Sequence, residues 1–258
     1  MDEFPTALQL NEAKDRFLST GCAIIDKFLR GGLSRSGITQ IYGEAGTGKT
    51  QLALQLCLTS QIPSSGGYKA GAIYICTESK FPSNRLQELL KFSPVAKQYK
   101  INGDVIFIEH ISTVSDLESC VKYRIPSLLL TQKIGLIVID SIAAPFRVEF
   151  DSKELKHRAK LLRSIGLTLH NYSKSHGICC VCINQVSSAM GNTSKTDGIC
   201  SNNQPVLGSV WACQVTNSFC FCKIRNQRHI HIRESPYLAR ESLVFDIQQS
   251  GVVGLIEI

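Results

Sequence analysis

The chain has 258 residues, 43% of them hydrophobic and 19% charged, with a formal net charge of +7. That length suits one large α/β domain, and the composition is that of an ordinary globular protein. The N-terminal MDEFPTALQL lacks the basic-then-apolar pattern of a signal peptide, and no apolar run is long enough to span a bilayer. The positive charge favours an anionic partner such as nucleic acid or nucleotide.

Residues 1–18 read as an arm ahead of the domain, which occupies 19–258. From there, short apolar runs alternate with amphipathic stretches. The runs are Gly37 to Tyr42, Gly71 to Cys76, Val105 to Glu109, Gly135 to Asp140 and Gly177 to Asn184. They are apolar on both faces, as strands covered by helices on both sides should be. The helical candidates between them are Lys49 to Thr59, Ser83 to Lys91, Thr113 to Tyr123 and Lys153 to Ser175. This alternation predicts an α/β fold with a mainly parallel, doubly wound sheet. After residue 185 the pattern changes. Residues 186–207 are rich in Ser, Asn and Gly, a long loop of the kind that is functional or disordered. Gln214 to Lys223, His229 to Arg233 and Ser242 to Gln248 follow as closely spaced strands, predicting an antiparallel extension of the sheet. The break between Arg225 and Arg228 reads as a tight turn.

There are 11 cysteines. Cys57, Cys76, Cys179 and Cys182 lie in apolar runs, and no CxxC pair occurs. The CC-x-C of Cys179, Cys180 and Cys182 alternates along a strand, so its thiols cannot all face one metal ion. The cysteines read as buried reduced thiols, implying a reducing compartment, cytosol or nucleus. His229 and His231 share one strand face with no third ligand evident, and read as surface-strand histidines. Trp211 reads as core.

Residues 43–50, GEAGTGKT, carry the full G-x-x-x-x-G-K-[ST] signature between an apolar strand and a helix. Gly43, Gly46 and Gly48 let the backbone of Glu44, Ala45 and Thr47 curl and aim its N–H groups inward. The helix N-terminus, opening at Lys49, Thr50 and Gln51, adds partial positive charge. Lys49 is expected to bridge the β- and γ-phosphates of ATP, and the Thr50 hydroxyl to ligate Mg²⁺. The run LIVID ends in Asp140, a carboxylate at the same sheet edge that can hold Mg²⁺. AIYICTES places Glu78 on a neighbouring strand end as the general base for an attacking water. Gln185, closing GICCVCINQ, offers a neutral amide to the γ-phosphate and leads into the long polar loop.

In this order the motifs resemble the RecA-like recombinases from about Ser19 to Ile258. The resemblance rests on STGCAIIDKFLRGGL, SGITQIYGEAGTGKTQ, TES-KFPSNRL, LIVIDSIAAPFR and CINQV. TALQL, GKTQLALQLCL and IFIEH narrow it to the eukaryotic paralogues of the strand-exchange recombinase. The resemblance implies an ATP-dependent role in homologous recombination, in the nucleus, within a complex with a sister paralogue on single-stranded or branched DNA. It makes Arg85 the adenine-stacking arginine, and Lys153, Lys156, Arg158 and Lys195 cations of the two DNA-binding segments. Phe4 and Ala7 match the family's F-x-x-A association motif, in which an extended segment adds to a neighbour's sheet. Two features depart from the family. The sequence begins just before the core without the family's N-terminal helical domain, being either truncated or from a homologue that lacks it, and ESPYLAR carries Glu234 and Ala239 where strand-exchange enzymes favour Asp and Pro. Capping of a neighbour's ATP by Glu234, Ser235 and Pro236 therefore stays open. So do two other readings, a self-polymerising strand-exchange enzyme and a structural subunit that holds ATP without turnover.

Overall fold

The computed structural model describes residues 16–63, 69–150, 154–188 and 203–256. Its centre is a nine-stranded sheet. In chain order the strands are β1 (Ile38–Gly43), β2 (Gly71–Cys76), β3 (Ile106–His110), β4 (Ile134–Asp140), β5 (Cys179–Asn184), β6 (Asn217–Ile224), β7 (Gln227–Glu234), β8 (Ser242–Gln248) and β9 (Gly251–Gly254). In space they run β9-β8-β7-β6-β1-β5-β4-β2-β3. Every pairing from β6 across to β3 is parallel, and β6 to β9 form an antiparallel meander. The expected architecture therefore stands.

The period of two decides which residues face which layer. Along β4, Leu136 and Val138 join one core, while Ile137 and Ile139 join the other. Along β5, Cys179 and Val181 face the first core and Cys180 and Cys182 the second. Helix α1 (Lys49–Thr59) covers the first face with Leu52 and Leu56, and helix α3 (Leu155–His176) covers the second with Leu162, Ile165 and Leu169. Each such fully buried aliphatic side chain contributes roughly 1.5–3 kcal/mol. Between them in sequence, α2 (Ser83–Phe92) buries only Leu86 and Leu89. Of the cysteines, Cys57, Cys76, Cys120, Cys179, Cys180, Cys182 and Cys220 are buried free thiols. Cys222 departs from the expectation of reduced thiols throughout: it is disulfide-bonded.

The stretch expected as one helix, Thr113 to Tyr123, is longer and irregular. It runs Val114–Ser119, passes through a π-helical turn at Cys120–Arg124, and resumes over Ile125–Leu129. Pro126 has no N–H to give its preceding turn, and the ladder widens just ahead of it, with the Ile125 N–H bonded to the Cys120 carbonyl. The β6 strand starts three residues later than expected because helix Gly208–Ala212 ends in turns that take up the Gln214 and Val215 N–H groups. Between β6 and β7 the turn is the tightest kind. Arg225 and Asn226 both have positive φ (47° and 70°), and Ile224 pairs with Gln227.

After Gln185, Val186–Ser188 pairs antiparallel with Asn203–Pro205. The Val206 N–H also donates to the Gln185 carbonyl at 3.0 Å. At the other end of the domain, Phe17–Leu18 pairs with Leu33–Ser34.

Candidate active site

The carboxyl ends of β1, β2, β4 and β5 lie side by side. That is where parallel α/β sheets bind their ligands. From β1 the chain enters the loop Gly43–Gly48 and then α1. A Cβ on Gly43 (φ 151°) would lie 1.9 Å from the Phe221 carbonyl oxygen of the adjoining strand, so only glycine lets β1 and β6 approach this closely. Gly48 sits at φ 111° against the rings of Phe245 and the Ile247 methyl, capping α1 in a left-handed conformation.

Lys49 curls back over this loop. Its Nζ donates to the carbonyls of Gly43 (2.8 Å) and Glu44 (2.7 Å). Burial lowers its pKa below the ordinary 10.5, against the opposing pull of Asp140 and Glu78. Thr50 donates its hydroxyl to Asp140 Oδ2 at 2.8 Å, so the helix start and the end of β4 share one polar contact. Glu78, exposed just beyond β2, accepts the Gln185 side-chain amide at 2.6 Å. The amide oxygen of Gln185 in turn accepts from Arg147, on helix Ala143–Val148. Thr50, Glu78, Asp140 and Gln185 thus line one cleft, with Lys49 beside Asp140 and Glu78.

Four participants were not expected. The Tyr74 hydroxyl donates to Asp140 Oδ2 at 2.6 Å, and burial, then the Asp140 charge, push that phenol well above its usual 10.0. Arg147 holds Gln185. Thr77 and Ser141 bond reciprocally, the Thr77 hydroxyl donating to the Ser141 carbonyl and accepting from the Ser141 N–H. Tyr74 is legible as an acceptor's partner only once β2 is known to lie beside β4. A polar tip inside an otherwise aliphatic strand is the one sequence signal that points to it.

Arg85 forms one wall of a neighbouring cleft of about 540 Å³, which Gly48, Lys49, Thr50 and Gln51 also line. Its guanidinium bonds Gln51 Oε1 (2.7 Å), the Gln248 carbonyl (2.5 Å) and Glu88 (2.6 Å). Arg85, itself on α2, is therefore fixed against α1 and the end of β8. The glycine cradle, the ammonium on its rim and the hydroxyl–carboxylate pair fit a triphosphate with a hard divalent cation such as Mg²⁺.

Phe4, Ala7, Lys153 and Lys195 lie outside the described residues. Lys156 is exposed and Arg158 half-buried, both in the first turn of α3. They stand apart from the residues that converge on Lys49. The Ser235 hydroxyl donates to Asn217 Oδ1 of β6 at 2.8 Å and accepts from the N–H groups of Tyr237 and Leu238 in its own turn. His231 is buried rather than at the surface, and its ring stacks on that of His229 with centroids 5.8 Å apart. Desolvation, then Arg233 and His229, lower the His231 pKa. Trp211 is in the core, as expected.

A nucleotide cradle at this edge of a parallel sheet, continued by three antiparallel strands, defines a P-loop ATPase fold of the RecA type. Residues 14–255 match the Rad51 family along nearly the whole chain. The chain therefore belongs to the Rad51 family, as a recombinase paralogue of homologous-recombination repair. It is 38% identical over 260 residues to the DNA repair protein XRCC3 of Bos taurus, a match that covers 92% of this chain and 74% of the bovine protein. The Mus musculus protein of the same name is 36% identical over 285 residues, 97% of this chain and 80% of its own. The XRCC3 homolog of Arabidopsis thaliana is 31% identical over 293 residues, 96% of each chain. Proteins of this family bind ATP with Mg²⁺ and are DNA-dependent ATPases in general.

Proposed function

We propose that this chain binds and slowly hydrolyses ATP, and that it does so in complex with a sister paralogue on single-stranded or branched DNA in the nucleus. The observation that carries the reading is the convergence of Lys49, the Thr50–Asp140 contact and the Glu78–Gln185 contact at one sheet edge.

Each residue has a role set by its position. Lys49 leaves its two loop carbonyls to donate to phosphate oxygens, recovering in charge pairing what partial burial costs its ammonium. Thr50 and Asp140 would hold the Mg²⁺, which neutralises phosphate charge when bound. Glu78 accepts the proton of the attacking water. Its carboxylate is already oriented by the Gln185 amide, and turning that amide toward a phosphate oxygen frees Glu78 for the water. Arg85, braced by Gln51 and Glu88, offers the flat side of its guanidinium to the base.

Two surfaces suit the assembly. Strand β3 is an edge of the sheet. Beside it lies a groove of about 440 Å³ lined by Phe107, Ile108, Cys120, Ile125 and Leu128. A sheet edge beside an apolar groove suits strand addition by a partner's arm, as Phe4 and Ala7 suit the donor role. Lys156 and Arg158 at the start of α3 suit a phosphate backbone, with Lys153 just ahead of them in sequence and Lys195 in the polar segment as the second contact.

Single-turnover hydrolysis tests the reading. Glu78→Gln should bind ATP as the wild type does, and hydrolyse it about 10²- to 10⁴-fold more slowly. Equal rates in the two proteins would remove Glu78 as the base.

A further inference from the structure

Between the sensor residue Gln185 and the rest of the sheet lies a buried polar cluster that none of the roles above uses. Gln40 of β1 is 2% exposed, Asn184 of β5 0%, Trp211 1% and Ser218 of β6 5%. The Gln40 side-chain oxygen accepts two hydrogen bonds, from Asn184 Nδ2 at 2.8 Å and from the Trp211 indole N–H at 2.9 Å. Its amide nitrogen donates to Ser218 Oγ at 3.2 Å. The cluster therefore joins β1, β5, β6 and helix Gly208–Ala212 through one carboxamide. Such groups are kept in an apolar interior only when their partners are satisfied, so each member holds the others in a single arrangement.

What Gln40 orients is Asn184. The second Nδ2 hydrogen of Asn184 goes to the Val206 carbonyl at 2.9 Å, and its Oδ1 accepts the Gln185 N–H at 2.8 Å. Val206 directly follows Pro205, the ladder partner of Val186, and its own N–H returns to the Gln185 carbonyl. One side chain thus grips the backbone of the sensor residue and the far end of the segment that leaves it. Asn184 can do this only in the orientation that Gln40 imposes, because rotating its amide would set oxygen against oxygen.

We infer that Gln40 is a positioning residue: through Asn184 and Trp211 it clamps Gln185 and Val206 into one unit, so that a change in the Gln185 side chain moves the Val186–Ser188 and Asn203–Pro205 ladder with it. The inference rests on the reading of Gln185 as the group that responds to the γ-phosphate. Without the clamp, Gln185 responds alone.

Hydrogen exchange of the purified chain with Mg²⁺ and either ADP or a non-hydrolysable ATP analogue tests this. In the wild type the amides of Gln185 and Val206 should exchange about tenfold differently in the two nucleotide states, the equivalent of one buried hydrogen bond. In Gln40→Leu the two amides should lose that difference while nucleotide affinity stays within about twofold of wild type. Gln40→Glu should keep it, since a carboxylate still accepts from Asn184 and Trp211 and Ser218 can turn to donate. Trp211→Phe, which removes one donor from Gln40, should show a partial loss and guards against a Gln40→Leu protein that does not fold. A full nucleotide response in Gln40→Leu, or in Trp211→Phe if the former is unfolded, would overturn the clamp. Gln185→Ala separates the two readings. If it keeps the wild-type response, Gln185 is not the sensor and the clamp has nothing to transmit. If it loses the response while Gln40→Leu retains it, the sensor stands and the clamp falls.

Discussion

Tyr74 and Asp140 meet across the β2–β4 pair, the phenol donating at 2.6 Å to the carboxylate oxygen that also accepts from Thr50. Register places them there: Cys76 pairs with Asp140, and Tyr74 with Val138, so the ring reaches along the strands toward the carboxylate. The ring itself is 1% exposed and packs edge-on against Phe81, centroids 5.1 Å apart. Asp140 therefore has one oxygen held from two sides by neutral donors.

Tyr74→Phe keeps the packing and removes the hydroxyl. Loss of this buried hydrogen bond should lower stability by about 1 kcal/mol in urea unfolding. The carboxylate loses an orienting partner, so the Mg²⁺ concentration needed for half-maximal nucleotide binding should rise roughly tenfold. An unchanged Mg²⁺ requirement would show that Thr50 alone orients Asp140.

Two glycines with positive φ should respond differently to alanine. At Gly43 the new Cβ meets the Phe221 carbonyl at 1.9 Å, and β1 must part from β6. Gly43→Ala should cost about 3 kcal/mol or more in thermal or urea unfolding, with nucleotide binding lost alongside. At Gly177 (φ 62°) nothing lies within 4 Å of the added methyl. Gly177→Ala should cost only about 1–2 kcal/mol, the conformational strain alone. Similar losses at both positions would mean that the close approach of β1 and β6 is not a constraint.

Reversing the charges at Lys153, Lys156 and Arg158 should weaken single-stranded DNA binding, and the dependence of log K on log salt should flatten by about one unit for each phosphate no longer neutralised. The nucleotide site, formed by other elements, should bind ATP as before. DNA affinity unaltered at low salt would remove this segment from the DNA surface.

Most of the site was legible because its signals are local. The loop from Gly43 to Thr50 is a contiguous run whose spacing is fixed by the phosphate it wraps, and Asp140 and Glu78 sit where apolar strands end. The hairpin turn at Arg225 and Asn226 was legible for the same reason. What was missed depends on sheet order, which no single segment encodes. Tyr74 reaches Asp140 because β2 lies beside β4, and Gln185 lies beside Glu78 and Arg147 because β5 follows β4 in space. The π-helical turn before Pro126 was missed because an amphipathic pattern does not show that one hydrogen-bond donor is lacking. His231 reads as a surface residue on its strand's alternation. It is instead 9% exposed, its ring stacked on that of His229.

The central claim is that the Gly43–Thr50 loop, with the Lys49 ammonium resting on the Gly43 and Glu44 carbonyls, receives a triphosphate beside Asp140. Titration of wild type and Lys49→Ala with fluorescent ATP in the presence of Mg²⁺ tests it directly. The account predicts a loss of affinity of about 100-fold, the value of two charge-assisted hydrogen bonds, with the folded state intact by circular dichroism. Equal affinity in the two proteins would contradict it.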